Sequence, residues 1–297
     1  MISCIITTYM REPEILKRAI KSIQRQTYQD IEIIVVNDAP EQKDLASRIG
    51  SMIQDMQDSR IQYIVHEKNS GACVARNTGA NASQGEFLAF LDDDDEWLPE
   101  KLSEQIKLME SPMIGLVTCD DYIVNEKGDK VIHQNKWPKH FTSELEDMLE
   151  GNFIGGVSFP LLRKKTFIEA GMFDPMMRSS QDTDMWIRML KISKLGYCEK
   201  PLLNYYITKD SITTNVDAKI QGYERLLEKY EKDYRCNPKL YQMKLIHIGY
   251  VLTIYSETKK AAAYFKKARN CGASQISIMK YQIKGRLVRL RRNVVHY

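Results

Sequence analysis

Five consecutive acidic residues, Asp92-Asp93-Asp94-Asp95-Glu96, follow directly on the apolar run Phe87-Leu88-Ala89-Phe90-Leu91. Such a run reads as a buried strand, and α/β folds place ligands just beyond the carboxyl ends of their strands. Adjacent carboxylates repel one another, and a divalent cation would relieve that repulsion. Oxygen-only donors suit Mg2+ or Mn2+, which typically also hold substrate phosphates. The same residues would equally make a solvated acidic loop that complements the N-terminus of the next helix. A second acidic pair, Asp182 and Asp184, opens an amphipathic stretch whose apolar side carries Met185, Trp186, Met189 and Leu190. Asp182 reads there as an N-cap and Asp184 as a first-turn acid, and a helix N-terminus holds a carboxylate rigidly.

The elements that must position these acids alternate along the first 120 residues. Apolar runs at Ser3–Thr8, Ile31–Val36, Ile61–Val65 and Glu86–Leu91 read as strands. Between them, helical spacing runs from Pro13 through Ile23, from Leu45 through Met56 and over Ala72–Ala82. Strands alternating with helices predict a parallel sheet with right-handed crossovers. Gly115–Asp120 reads as a further strand, residues 130–160 carry no clear period, and helices are expected at Lys164–Ala170 and Asp182–Lys194. From about residue 217 the pattern is helical only. This divides the chain into an α/β domain, 1–215, and a helical extension, 216–297.

The 297 residues carry 43 Lys and Arg against 39 Asp and Glu, a net charge of +4. Six of the basic residues (Lys280, Lys284, Arg286, Arg289, Arg291 and Arg292) fall in the last stretch, which has no acid. The rest is therefore slightly acidic, which argues against a nucleic-acid partner. No stretch approaches the roughly 18 apolar residues that span a bilayer. The six cysteines are too widely separated for a zinc or redox motif and read as buried thiols in a reducing, cytoplasmic setting.

In this context the acid run resembles the DxD site of family 2 glycosyltransferases with the GT-A fold, where a strand leads into Leu-Asp-x-Asp-Asp-x-Trp. Asp92 and Asp94 take the two DxD positions, Asp93 stands where Ser is more usual, and Trp97-Leu98-Pro99 continues the match. Thr7-Thr8-Tyr9-Met10 is similar to the family's first-strand Pro-Thr-Tyr-Asn, and Asn37-Asp38-Ala39 to its Asp-Asp-Gly. Asn69-Ser70-Gly71-Ala72-Cys73-Val74-Ala75-Arg76-Asn77-Thr78-Gly79 matches closely. Gly171-Met172-Phe173-Asp174 and Gln181-Asp182-Thr183-Asp184-Met185-Trp186-Ile187-Arg188 resemble Gly-Gly-Phe-Asp and Glu-Asp-x-Asp-Leu-Trp-x-Arg. The matches run in the family's order over about residues 1–210.

The resemblance implies a Rossmann-like, mixed but mostly parallel sheet flanked by helices, with an α-helical C-terminal extension. It implies an inverting transfer from a UDP-sugar to a saccharide or polyprenyl-linked saccharide in surface-polysaccharide synthesis. Asp94 and Asp92 would hold Mn2+ or Mg2+. Thr8, Tyr9, Asp38, Arg76, Asp92 and Asp93 would face the donor. Asp182 would be the catalytic base and Asp184 the alternative or supporting acid. Gln181 in place of Glu removes a charge, so Asp182 is expected to ionise more readily than in relatives. Gly155, Gly156 and Trp186 would lie on the acceptor side, and Lys209 would stand in for a His that relatives carry. A nucleotide-sugar-binding scaffold of the same fold without turnover is the alternative.

The basic tail has a shape of its own. Ile276, Met279, Ile283, Leu287, Leu290 and Val294 recur at intervals of 3, 4, 4, 3 and 4. Flanked by long basic side chains, this stripe predicts peripheral contact with an anionic membrane through 276–294, at the inner face of the cell membrane. A helix docked on the body with a solvated basic face would read similarly.

Overall fold

A computed structural model describes residues 1–125, 127–133, 143–206 and 216–295, apart from the side chains of residues 216 and 291–295. The chain forms two compact units. The first holds Met1–Met148, Asn152–Met176 and the chain from Gln181 through the last strand. The second holds Leu149–Gly151, Met177–Ser180 and the C-terminal helices.

The first unit begins as the alternation predicts. The elements are β1 (Ile2–Thr8), α1 (Pro13–Gln24), β2 (Ile31–Asn37), α2 (Lys43–Asp55), β3 (Ile61–Val65), α3 (Ala72–Ala82) and β4 (Phe87–Asp92). Strands β3, β2, β1 and β4 pair in parallel. Their registers place Thr7 beside Asp92 and Thr8 beside Asn37, so three motif-bearing loops leave one edge of the sheet together. The isoleucines and valines of β1 and β2 are buried, as a sheet covered on both faces requires. Gly79 lets α3 close on β1: a Cβ there would meet Ile5 Cγ2 at 2.4 Å.

Beyond β4 the sheet becomes mixed. The chain continues through β5 (Glu96–Trp97), α4 (Lys101–Lys107), β6 (Ile114–Val124), β7 (Lys130–His133), α5 (Glu144–Glu150), β8 (Leu161–Arg163), α6 (Lys164–Glu169), α7 (Gln181–Leu190) and β9 (Lys194–Tyr206). The sheet order is β3-β2-β1-β4-β8-β6-β9-β5, with β7 pairing β6. Strand β8 is antiparallel to both β4 and β6, and β9 runs parallel to β6. The expected strand at Gly115–Asp120 is longer than its apolar part. The expected helix to Lys194 stops at Leu190, because Lys194 already opens β9 beside Ile114.

The second unit is helical: α8 (Val216–Lys229), α9 (Glu231–Cys236), α10 (Pro238–Ile254), α11 (Thr258–Asn270) and α12 (Gln275–Val295). Asn237 caps α10 by accepting from Leu240 N–H, ahead of Pro238 at the first helical position. Buried Lys244 of α10 donates to the Leu149 carbonyl, which also accepts from the Tyr234 hydroxyl. No described helix is long and apolar enough to cross a membrane.

Candidate functional site

The acid run is a β-turn, closed by the Asp95 N–H to the Asp92 carbonyl at 3.1 Å. Its carboxylates face alternately in and out. Asp93 is buried and accepts from the Thr8 hydroxyl at 2.7 Å and from Arg11 Nε at 2.9 Å. Burial pushes its carboxyl up to about 6, against the pull of Arg11 and Thr8. Asp95 is also buried, accepting from the Ser158 hydroxyl at 2.6 Å, and burial followed by the nearby Asp92 charge raises it well above the carboxylate range. Asp92 and Asp94 keep side-chain exposures of 37% and 22%.

Each outward acid already has an arginine. Arg76 Nη2 reaches Asp92 at 2.9 Å, and Arg11 Nη2 reaches Asp94 at 3.1 Å. Arg18 donates to the Asp94 carbonyl and stacks on the Tyr206 ring, its guanidinium carbon 3.8 Å from the centroid. The repulsion inferred from the sequence is therefore met partly by the protein's own cations. Among the described residues, no group of three or more His, Cys, Asp or Glu could hold an ion. The two outward carboxylates fit Mg2+ or Mn2+ as a partial, oxygen-only set that donor phosphates would complete.

Arg76 links the two acidic clusters. Its Nη1 donates to Gln181 Oε1 at 2.8 Å while Nη2 holds Asp92, and its guanidinium carbon lies 5.5 Å from the centre of the Phe173 ring. Phe173 belongs to an aromatic core with Phe90, Phe167 and Trp186. The first residue of α7 is thereby tied to the end of β4, next to Asp182.

Asp182 lies in the first turn of α7, one residue inside the helix, and is not its N-cap. Its Oδ1 accepts from Thr183 N–H at 2.7 Å, and its Oδ2 from Asn152 Nδ2 at 3.0 Å. Burial raises its carboxyl above the usual range, partly offset by Thr183 and Arg76. Asp184 departs from the expected second acid: it is completely buried, and Arg188 donates to its Oδ2 through Nε at 3.0 Å and Nη2 at 2.8 Å. That pairing makes it a structural ion pair with no opening toward an acceptor.

Several other expected contacts are redistributed. The Thr8 hydroxyl is spent on Asp93, which itself points inward, so neither offers a free side chain to a donor. Asp38 is buried, with Oδ1 taking Ser70 N–H and His66 Nδ1 and Oδ2 taking Gly71 N–H. It shapes the loop before α3 and does not project into open space. Tyr9 is about half exposed, and Met10 after it has a left-handed φ of 51°. Trp186 is buried, not a surface on the acceptor side, and its Nε1 donates to the Gly155 carbonyl at 3.0 Å. Gly155 has φ of 97°, and a Cβ there would sit 2.6 Å from the Phe159 ring, whereas Gly156 borders open space. Lys209 and the 215/216 boundary lie outside the described residues.

Asn152 has no sequence signal. Its Oδ1 accepts from Ile154 and Gly155 N–H while its Nδ2 serves Asp182 and the Gly155 carbonyl. Arg18 and His66 are equally without one, because each meets its partner only after folding.

This mixed sheet, with an acidic turn at the end of its fourth strand, is the GT-A glycosyltransferase arrangement. The chain superposes on a mannosyltransferase from Pyrobaculum calidifontis, PcManGT, solved with GDP-Man and Mn2+. The TM-score is 0.64 at 14% identity, covering 97% of this chain and 86% of that one. The family model for glycosyl transferase family 2 matches residues 3–171, and the chain belongs to that family. An uncharacterised glycosyltransferase of Methanocaldococcus jannaschii is 30% identical over 86% of this chain and 88% of its own. The GalNAc(5)-diNAcBac-PP-undecaprenol beta-1,3-glucosyltransferase of Campylobacter jejuni is 29% identical over 91% and 84%.

Proposed function

We propose that the chain is an inverting glycosyltransferase that moves a sugar from a UDP-sugar to a glycan or polyprenyl-linked saccharide in surface-polysaccharide synthesis. The observation that carries this reading is the Arg76 bridge, which ties Asp92 to the start of α7 and so holds the acid turn close to Asp182. In the proposed reaction the acceptor hydroxyl gives its proton to Asp182 while its oxygen attacks the anomeric carbon, and the nucleoside diphosphate departs. Asp92 and Asp94 would hold Mn2+ or Mg2+, which when bound stabilises the charge gained by the departing diphosphate. Arg11 and Arg76 position those acids. Tyr9 is the open side chain at the donor lip, and Gly156 the open backbone on the acceptor side. The undecaprenol-linked substrate in the name of the Campylobacter relative supports an acceptor of that class. Such an acceptor lies in a membrane, so the reading includes a peripheral place at the inner face of the cell membrane, reached through 276–294.

A panel of UDP-sugars, assayed with and without Mn2+, tests the proposal. Asp94→Ala should lose donor hydrolysis and transfer together. Asp182→Asn should retain UDP binding and lose transfer by about 10²–10⁴-fold. Near-full transfer by Asp182→Asn would remove the base assignment. The arginine pairing of both outward acids favours one other reading, a scaffold that binds nucleotide sugar without turnover. It would bind UDP and show no hydrolysis with any donor or cation.

A further inference from the structure

Helix α12 packs by one side only. Ile278 is buried, the Tyr281 ring meets Tyr250 at 5.8 Å, and a Cβ on Gly285 would lie 3.0 Å from Thr253 Cβ. Ile276, Met279, Ile283, Leu287 and Leu290 are exposed, from 48% at Met279 to 82% at Ile276. At about 100° per residue these five fall within an arc of about 80°, centred roughly 160° from the packed side. Exposed Arg286 borders the arc on one side and exposed Lys280 and Lys284 on the other. The helix holds no acid. Its 21 residues make a rod about 30 Å long.

We propose that this face docks on an anionic lipid bilayer, with α12 lying flat in the headgroup region. The purpose of the docking rests on the membrane-borne acceptor proposed above, although the surface is defined independently of it. The charge pattern selects lipid over a second copy of the chain. Both flanks are basic, so a self-paired helix would set like charges against each other, whereas anionic headgroups complement them and the apolar arc enters the acyl boundary.

The full-length chain should co-sediment with vesicles of equal parts phosphatidylcholine and phosphatidylglycerol, and much less with phosphatidylcholine alone. Lys280→Gln with Arg286→Gln should lower the partition coefficient about 25-fold, fivefold per charge. Ile283→Gln with Leu287→Gln should lower it at least about tenfold, and Ile276→Gln alone should weaken it measurably. Unchanged circular dichroism and UDP binding would show that these variants remain folded. Equal binding to neutral vesicles, or none to either, overturns the proposal. So does concentration-dependent self-association that Ile283→Gln with Leu287→Gln abolishes, which would assign the face to a second copy. The vesicle assay needs neither donor nor acceptor, so it reads out even if the transfer assignment fails.

Discussion

Asn152 offers the sharpest test of whether Asp182 is the base. Its Nδ2 is 3.0 Å from Asp182 Oδ2, and its own Oδ1 is locked by the N–H groups of Ile154 and Gly155. A hydrogen bond donated to a carboxylate stabilises the charged form, so its loss raises the carboxyl pKa. Such bonds contribute about 1.5–3 kcal/mol, and Asp182 retains some solvent contact, which favours the lower end. That corresponds to about one pH unit. Asp182 must be ionised to accept a proton, and burial already sets it above the ordinary range. The acid limb of kcat/KM should therefore lie above the usual carboxylate range in the wild type and move up by about one further unit in Asn152→Ala. Above that limb a misdirected carboxylate should still reduce kcat by about tenfold, with little change in donor KM.

Asn152→Asp separates the effect from simple loosening of the loop. Aspartate retains an oxygen to accept from Ile154 and Gly155, but replaces the donor to Asp182 with a like charge. Its limb should move further than that of Asn152→Ala. Transfer rates over about pH 5–9 with a soluble acceptor analogue check both. Superimposable pH profiles for all three proteins would refute the reasoning, since a base held by Asn152 must register the loss of its donor.

Arg76→Lys should lower transfer by about 10–100-fold, because one ammonium cannot hold Gln181 and Asp92 in the fixed fork of a guanidinium; an unchanged rate would free the bridge of its role. Lys101, wholly buried with Nζ 2.7 Å from Gln105 Oε1, has its ammonium pulled down to about 8 by burial. The unfolded chain then binds more protons between about pH 8 and 10.4, so this lysine's cost to stability is full below pH 8 and fades as pH rises. The stability difference between Lys101→Met and wild type in urea titrations should shift toward wild type by up to about 1.4 kcal/mol per pH unit across that window; a pH-independent difference would contradict it.

The first four strands and their helices were legible because each is a continuous apolar run or a helical stripe; only folding sets their register, with Thr8 beside Asn37 and Thr7 beside Asp92. The later sheet was not. β8 has three residues, and β9 begins where the amphipathic pattern of α7 still invites a helix. Within the site, residue identity marked the acids but not their directions. Asp38, Asp93 and Asp184 carry the right chemistry, yet each is spent on a partner inside the fold. The partners that decide this, among them His66, Arg11 and Arg188, either lie far off in sequence or look like ordinary helix residues.

The acid turn shows what that redistribution achieves. Read as a string, Asp92 to Asp95 is a block of like charge that fits either a metal site or a solvated loop. Folded, it is two pairs. Asp93 and Asp95 are buried, raised by desolvation and bonded to Thr8, Arg11 and Ser158, so they brace the turn against β1 and the 152–158 loop. Asp92 and Asp94 stay outward, each paired with an arginine: Arg76, which also holds Gln181 at the start of α7, and Arg11, which also holds Asp93. Arg11, Arg18 and Arg76 offset the negative charge of the turn, which the diphosphate donor proposed above would otherwise have to overcome. In the reaction proposed above, Asp92 and Asp94 would hold a divalent ion, whose charge would complement the donor's phosphates. On that reading the inward acids would serve the outward pair by bracing the turn through Thr8, Arg11 and Ser158.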